Sequence, residues 1–159
     1  TLAGLIAAKA ALFHDVAAEG VVPYPGVVEL VRALSGKVPL AICSGALRSD
    51  IEPVLRMISL ADAFDCLVTA EDVAASKPDP ASYRLAVEQL QMLYPDAGIT
   101  AAQTVAIEDT PAGIQSAKGA GLQVLAVSNS YPAGALAAAD RVVASLSGLT
   151  VEELRQLVP

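Results

Sequence analysis

The sequence predicts an α/β fold in which helices cover both faces of a parallel β-sheet, giving three layers (αβα). Short apolar runs alternate with polar loops and amphipathic helices, the pattern of buried parallel strands joined by helical crossovers. The 159 residues fit one ordinary domain, and 54% hydrophobic against 17% charged residues supply a continuous apolar core. Because such sheets bind ligands beyond the carboxyl ends of their strands, the residues that follow each strand are the functional candidates.

The first predicted element is a helix at residues 2–19, where apolar side chains recur at spacings of three, four and seven residues. Gly20 marks its end. The two prolines of the segment VVPYPG predict an extended connector, followed by a second helix over Val27–Leu34. We therefore expect a boundary here, with residues 1–21 in one unit and residues 22–159 in another.

Strand, loop and helix then repeat along the rest of the chain. Strands are expected at 38–43, 66–70, 104–108, 123–128 and 141–145. Helices are expected to end near residues 57, 93 and 120, with a short helix after the fourth strand and a last one over 151–157. Glu71 and Asp72 are expected to begin a further short helix, because carboxylates favour a helix N-terminus.

Charge and cysteine content exclude several classes of function. A net charge of −7 without a Lys/Arg cluster argues against nucleic acid and anionic membranes as partners. The longest uncharged stretch, 119–139, contains polar residues and a proline, so no transmembrane helix is expected. Cys43 and Cys66 lie in apolar runs and are expected to be reduced, buried thiols. No signal peptide is visible, which predicts a cytoplasmic protein, and a start at Thr1 indicates a preceding segment.

Polar side chains follow three of the predicted strands. Ser44 follows the first, Lys77 lies in the loop after the second, and Glu108 and Asp109 end the third. A hydroxyl, an ammonium and two carboxylates at one edge of a sheet suit a phosphate and a hard cation. Mg²⁺ prefers one or two carboxylates together with water and phosphate oxygens. The sequence therefore predicts a site for a phosphate and Mg²⁺.

Two of these positions offer groups that favour an anion. Lys77 can neutralise the charge of a phosphoryl group. Ser44 and the backbone amides of Gly45 and Ala46 are expected to open a helix, whose N-terminus favours an anion. We therefore expect Gly45 to share the phosphate site with Ser44 and Lys77.

Three motifs resemble the haloacid dehalogenase-like superfamily, in the subgroup with a helical cap that includes phosphoglycolate phosphatase and β-phosphoglucomutase. They are AICSG with Ser44, SKPDP with Lys77, and VAIEDTPAGIQSAKGAG with Glu108 and Asp109. The resemblance runs from about residue 22 to the end and implies a Rossmann-like core over 22–159. It also makes residues 1–21 similar to the last helix of that family's cap domain, as a remnant of the cap.

The resemblance implies Mg²⁺-dependent phosphoryl transfer from a small phosphorylated metabolite through a covalent aspartyl-phosphate. In that scheme Ser44 hydrogen-bonds the transferring group, and Lys77 pairs with the nucleophile and the phosphate. Asp109 ligates Mg²⁺, with Glu108 as a further or water-mediated ligand. Arg48 stands where relatives often place a residue that faces the substrate, although a solvated arginine of a first helical turn explains it equally.

The family's first motif, DxDGT, which carries the nucleophile, does not occur in this sequence. In the family the same segment forms the central strand, between those predicted here at 38–43 and 104–108. Phosphate-monoester hydrolysis needs up to about 10²¹-fold acceleration, and sites without their nucleophile keep about 10³ to 10⁴. We therefore expect a fragment that is inactive alone, with its central position filled by an N-terminal segment of the same protein or by rearranged pairing.

Other functions are compatible with these motifs. A β-phosphoglucomutase-like phosphomutase shares all of them. A non-catalytic binding or regulatory domain would keep the fold without the nucleophile. A 2-haloacid dehalogenase is a weaker alternative, because its metal-free chemistry does not need the pair Glu108 and Asp109. The single histidine, His14, is expected to be exposed on the first helix rather than catalytic.

Overall fold

The computed structural model describes residues 20–159, so the helix predicted at 2–19, the unit assigned to 1–21 and His14 fall outside the described residues. Helices and strands alternate along the described chain, as the sequence predicted. The α-helices are α1 (Val27–Leu34), α2 (Arg48–Met57), α3 (Ala81–Leu93), α4 (Pro111–Gly119) and α5 (Val151–Arg155). The strands are β1 (Ala41–Cys43), β2 (Cys66–Val68), β3 (Val105–Glu108), β4 (Gln123–Val127) and β5 (Arg141–Val143).

The strands form two parallel sheets. β1 pairs with β2, in a register that sets Ala41 opposite Cys66 and Cys43 opposite Val68. In the second sheet β4 lies between β3 and β5, and both pairings are parallel. Parallel strands with helical crossovers confirm the predicted α/β, Rossmann-like class.

β4 is the centre of the core. Val124 and Ala126 pack with side chains of α3 and α4, whereas Leu125 and Val127 pack with α1 and α5. Successive residues of a strand point to opposite faces, so one strand serves both helix layers. All four side chains are at most 2% exposed. The three-layer arrangement thus rests on a strand that is apolar on both faces.

Several strands are shorter than the sequence predicted. β1 begins at Ala41 rather than at 38, where Pro39 has no N–H to donate to a ladder. β2 ends at Val68 rather than at 70, because the Thr69 N–H donates to the Asp72 side chain at 2.7 Å. β5 likewise ends at Val143 and α5 at Arg155, each two residues earlier than predicted.

The prediction of a short helix beginning at Glu71 and Asp72 is wrong, because the chain forms a turn at these residues. Asp72 Oδ2 accepts hydrogen bonds from the Thr69 N–H at 2.7 Å and the Thr69 hydroxyl at 2.8 Å. These bonds, the N–H bond first, lower the pKa of the Asp72 carboxyl below its usual range. A side chain that binds the local backbone in this way competes with helix formation.

α1 begins against the loop that precedes α5. Gly26 has a φ of 86°, and a Cβ built there would lie 2.3 Å from the backbone carbon of Leu146. The Ser145 hydroxyl donates to the Pro25 carbonyl at 3.4 Å. Both the positive φ and the close approach favour glycine. This contact joins the beginning and the end of the described chain.

Two further expectations concern the cysteines and the membrane. Cys43 and Cys66 are both free, as predicted, but each is only half-buried. Burial raises the pKa of both thiols, so they stay protonated at neutral pH. Within residues 20–159, no helix has the length and apolar character that crossing a membrane requires.

Candidate active site

Lys77 links the carboxyl ends of β1 and β3. Its Nζ donates to the Cys43 carbonyl, the last of β1, at 3.0 Å. It also donates to Glu108 Oε1, at the end of β3, at 2.5 Å. The loop before α3 carries Lys77 back to the strand ends, so the structure brings it together with Glu108. Ser44 directly follows β1 and Asp109 directly follows β3, at the same edge.

Glu108 is buried and held by two donors. Its side chain is 7% exposed, and Oε1 accepts from the Tyr83 hydroxyl as well as from Lys77, each at 2.5 Å. Burial, and then the Glu108 carboxylate, raise the pKa of the Tyr83 hydroxyl far above its usual range. Tyr83 is therefore protonated at neutral pH and acts as a donor. Glu108 is thus paired within the protein, with Lys77 and Tyr83.

Asp109 is half-buried and lies nearer to solvent than Glu108. The exposed Ser130, in the loop after β4, donates its hydroxyl hydrogen to Asp109 Oδ2. Asp109 and Asn129 line the same cavity. The loops after β3 and β4 thus meet at Asp109 and Ser130, with Asn129 on the same cavity. All three side chains carry an oxygen atom that can ligate a cation.

Asp109 fits a magnesium site better than Glu108 does. Within residues 20–159, no three His, Cys, Asp or Glu side chains form a group that could hold a metal ion. Mg²⁺ keeps several waters and takes only one or two carboxylates besides phosphate oxygens, so one carboxylate from this part of the chain is compatible with it. Glu108 is buried and paired with Lys77 and Tyr83 through Oε1, whereas Asp109 is half-buried and nearer to solvent, which favours Asp109 as the direct ligand candidate.

Backbone amides of the loop after β1 and of the first residue of α2 donate hydrogen bonds within the protein. The Ala46 N–H donates to Ser44 Oγ at 3.1 Å. α2 begins at Arg48, and the Arg48 N–H donates to Glu71 Oε2 at 2.9 Å, so a carboxylate of the protein lies at this helix N-terminus. A Cβ at Gly45 would meet nothing within 4 Å. Gly45 therefore borders open space. The expectation that Ser44, Gly45 and Ala46 open a helix is wrong, because α2 begins only at Arg48.

Arg48 ties α2 to β2. Its Nη2 donates to the Leu67 carbonyl at 3.0 Å and lies 3.3 Å from Asp72 Oδ2. Nη1 lies 4.0 Å from Glu52 Oε1 on the next helical turn. Because its side chain is 44% exposed, these ion pairs contribute little to stability, and their effect is to fix the loop after β2. The contacts agree with the explanation of Arg48 as a solvated first-turn residue.

A cavity of about 720 Å³, the inter-sheet groove, lies between β1 and β3. Its lining includes Ile42 and Cys43 from β1 and Ala106 and Ile107 from β3. Ile107 is 38% exposed although its neighbours in β3 are buried. Over the described chain, no ladder pairs β1 with β3. Lys77 crosses the carboxyl end of the groove through its bonds to both strands.

Sequence reasoning missed Tyr83 and the oxygen donors of the loop after β4. Tyr83 lies on the first turn of α3, 25 residues before Glu108, and nothing in that spacing indicates contact. Asn129 and Ser130 come shortly after β4. They could have been found as Ser44 and Asp109 were, because ligands bind beyond the carboxyl ends of parallel strands.

Comparison with known proteins places this geometry in a family. A family model described as haloacid dehalogenase-like hydrolase matches residues 2–121. Validoxylamine A 7'-phosphate phosphatase from Streptomyces hygroscopicus subsp. limoneus is 34% identical over 89% of this chain and 62% of its own length. Phosphoglycolate phosphatase from Rhodospirillum rubrum is 30% identical over 80% of this chain and 48% of its own.

Solved structures with a similar fold support the same family. CbbY from Rhodobacter sphaeroides, in complex with xylulose-(1,5)bisphosphate, superposes with a TM-score of 0.72 at 28% identity. The match covers 82% of this chain and 58% of that one. The chain thus spans only about half to two-thirds of the length of these relatives. From its sequence match and its fold, the chain belongs to the haloacid dehalogenase-like hydrolase family.

Proposed function

We propose that this chain is part of a cytoplasmic, Mg²⁺-dependent phosphatase that acts on a small phosphorylated metabolite. The observation that carries the proposal is the convergence of Ser44, Lys77 and Asp109 on one edge, where Lys77 joins the ends of β1 and β3. The names of two relatives, both phosphatases, support it. Residues 1–21 are proposed to belong to the cap and residues 22–159 to the core.

The residues take distinct roles in the proposed reaction. The Ser44 hydroxyl donates a hydrogen bond to a phosphoryl oxygen, and Gly45 leaves room for the group to approach. Lys77 offsets the negative charge of that group, since its ammonium is a compact point charge at the strand ends. Asp109 would hold Mg²⁺, which supplies charge stabilisation to the transferring phosphoryl group. Glu108 keeps Lys77 in place rather than contacting the metal.

In the proposed reaction the nucleophile is an aspartate of a segment that these 159 residues do not include. An aspartate oxygen attacks phosphorus while the bond from phosphorus to the ester oxygen breaks, and the leaving alcohol takes a proton from a general acid. Water then cleaves the acyl phosphate, releasing inorganic phosphate and restoring the carboxylate. Lys77 and Ser44 face the same charged group in both steps, so one arrangement of donors serves the whole cycle.

We propose that the inter-sheet groove receives the segment that carries this nucleophile, as one strand from the N-terminal part of the same protein. β1 and β3 run along the two sides of the groove, so an added strand can pair with both. An open groove would otherwise leave two strand edges available for aggregation. The groove is also lined by apolar side chains of both helix layers, such as Leu34 of α1 and Val87 of α3, which suits a strand that is apolar on both faces.

Activity tests the proposed function. The 159-residue chain and the complete protein from the same reading frame are assayed on p-nitrophenyl phosphate with Mg²⁺ and with EDTA. We expect turnover only in the complete protein with Mg²⁺, reduced at least about 100-fold by Lys77→Ala. Lys37→Ala, at an exposed lysine, is the matched control and should keep full activity. Turnover by the 159-residue chain alone would refute the assignment of the nucleophile to an outside segment.

Thiol protection tests the groove separately from activity. Cys43 lines the groove and Cys66 does not, so they form a matched pair within one chain. Adding the separately expressed N-terminal segment should slow modification of Cys43 by a disulfide reagent and leave Cys66 unchanged. Equal rates with and without the segment would contradict the proposed docking.

Two alternatives are separated by the same assays. A phosphomutase would convert one sugar phosphate to its isomer faster than it releases phosphate. A non-catalytic binding domain would show no Mg²⁺-dependent turnover at any substrate concentration, even as the complete protein. Phosphate release that exceeds isomerisation supports the phosphatase.

A further inference from the structure

Tyr83 contacts both members of the central ion pair. Its hydroxyl donates to Glu108 Oε1 at 2.5 Å. Its ring lies under the Lys77 ammonium, 4.7 Å from Nζ to the ring centroid. Cations are attracted to the face of an aromatic ring at this distance. One side chain therefore supports the anion through its hydroxyl and the cation through its ring.

The Tyr83 ring has little freedom to move. It is 7% exposed and belongs to the core cluster that includes Val87, Ala106 and Ile114. α3 holds it from the first helical turn, so helix and core together fix the hydroxyl. A rigid donor is a suitable support for a carboxylate that must stay in one orientation.

The carboxylate of Glu108 is confined on its other side by α4. A Cβ built on Gly113 would lie 1.8 Å from Glu108 Oε2, so the side chain occupies the space that glycine leaves open. Tyr83 and Lys77 both meet Oε1, while Gly113 borders Oε2. The carboxylate is thus enclosed between α3, α4 and the lysine.

We propose that Tyr83 is a positioning residue that, through Glu108, fixes the Lys77 ammonium at the carboxyl ends of β1 and β3. Lys77 alone has a flexible four-carbon side chain, and its place depends on the acceptors around it. Glu108 is the charged acceptor, and Tyr83 sets its orientation. The consequence for catalysis rests on the proposed phosphoryl-transfer function, whereas the effect on Lys77 does not.

The first test observes the lysine directly in the 159-residue chain. The sequence has only four lysines, so the ¹⁵N–¹H signals of their ammonium groups are few, and Lys77→Met identifies the one of interest. Tyr83→Phe keeps the ring and removes the hydroxyl. We expect the hydrogens of the Lys77 ammonium to exchange with water about three- to tenfold faster, as on loss of one hydrogen bond in the network.

Matched controls come from the same molecule. Tyr94 also donates to a carboxylate, Asp65 Oδ1, at 2.5 Å, but lies in an exposed position, so Tyr94→Phe should leave the Lys77 signal unchanged. The Lys118 ammonium, paired with Asp140 at 2.7 Å, is the internal reference in every spectrum. An unchanged Lys77 signal in Tyr83→Phe would overturn the proposal.

A measurement on the wild-type chain tests the contact even if the Tyr83→Phe variant does not fold. The Tyr83 hydroxyl hydrogen, buried and bonded to Glu108, should give its own slowly exchanging proton signal. Exchange of that hydrogen at the rate of an exposed tyrosine would contradict the contact without any substitution.

The second test uses the complete, active protein. Tyr83→Phe should lower kcat about tenfold with a smaller change in KM, and the loss should vanish in a Lys77→Ala background, because Tyr83 acts through that lysine. Additive losses would mean that Tyr83 acts independently of Lys77, against the proposal. If the complete protein has no phosphatase activity, the proposed function fails and the NMR result still decides the role of Tyr83.

Discussion

Position 113 requires a glycine because the Glu108 side chain packs against its Cα. Glu108 Oε2 occupies the space where a Cβ would stand, 1.8 Å from the built position. Gly113→Ala should therefore displace the Glu108 carboxylate and destabilise the fold by about 1–3 kcal/mol, the usual cost of overpacking. Urea denaturation of both chains measures the difference.

Gly134→Ala is the control for that substitution. A Cβ there meets nothing within 4 Å, and its φ lies outside the left-handed region. It should change the free energy of unfolding by no more than about 0.5 kcal/mol. Equal losses in the two variants would show that the contact with Glu108 carries no cost.

Sequence reasoning located residues that follow strands and missed those that act from other elements. Ser44, Lys77 and Asp109 could be predicted at one edge because the carboxyl ends of parallel strands converge. Tyr83 could not, because its role depends on how α3 packs against β3. The position of Glu108 behind Lys77 also required the structure, since adjacent carboxylates look equivalent in a sequence.

At the scale of elements, α5 is held to β5 by a network that depends on pH. The Thr150 hydroxyl accepts from the Glu153 N–H, and the Glu153 carboxylate accepts from the Thr150 N–H, which forms a capping box. The hydrogen bond from Arg141, and then those from Thr150, lower the pKa of Glu153 to about 2. A carboxyl with a lowered pKa stabilises the fold above its unfolded value and loses that contribution as the pH falls.

Glu153→Gln tests this network. The stability that wild type has over the variant should be complete above about pH 4.5, the ordinary pKa, and should disappear as the pH falls towards 2. Thermal denaturation at a series of pH values gives the difference. Glu152→Gln, at the neighbouring exposed carboxylate 3.6 Å from Arg155 and outside the capping box, is the matched control. A constant difference from pH 7 to pH 2 would exclude the proposed contribution of the carboxylate.

At this scale, the sequence did not predict the residues at which several of the strands end. The apolar runs identified all five strands, but hydrogen bonds at their ends decided where each stopped. Thr69 donates to Asp72 instead of extending β2, and the same carboxylate prevents the helix expected at Glu71. Such local competition between side chain and backbone is not visible in apolar periodicity.

At the scale of the whole molecule, the two sheets differ in how well their strands are buried. Every residue of β4 from Val124 to Val127 is at most 2% exposed, whereas β1 has no fully buried residue and α2 has none either. Local opening is easiest where few apolar groups are buried. We therefore expect amide hydrogens of β1 and β2 to exchange well before those of β4.

Hydrogen exchange followed by mass spectrometry checks this order in the 159-residue chain. Adding the N-terminal segment should slow exchange in β1 and β3, the two sides of the inter-sheet groove, and leave β5 unchanged. Equal protection of the two sheets in the chain alone would refute the difference in local stability.

The contact between Pro25 and Ser145 has a consequence for synthesis on the ribosome. These residues are 120 positions apart. At about 5–20 residues per second, roughly 6–24 s pass between the appearance of the first and the second. During that time Leu30 and Leu34 of α1 lack Leu154, one of their partners in the core cluster. A nascent chain that stalls before residue 145 would therefore present this apolar face to chaperones.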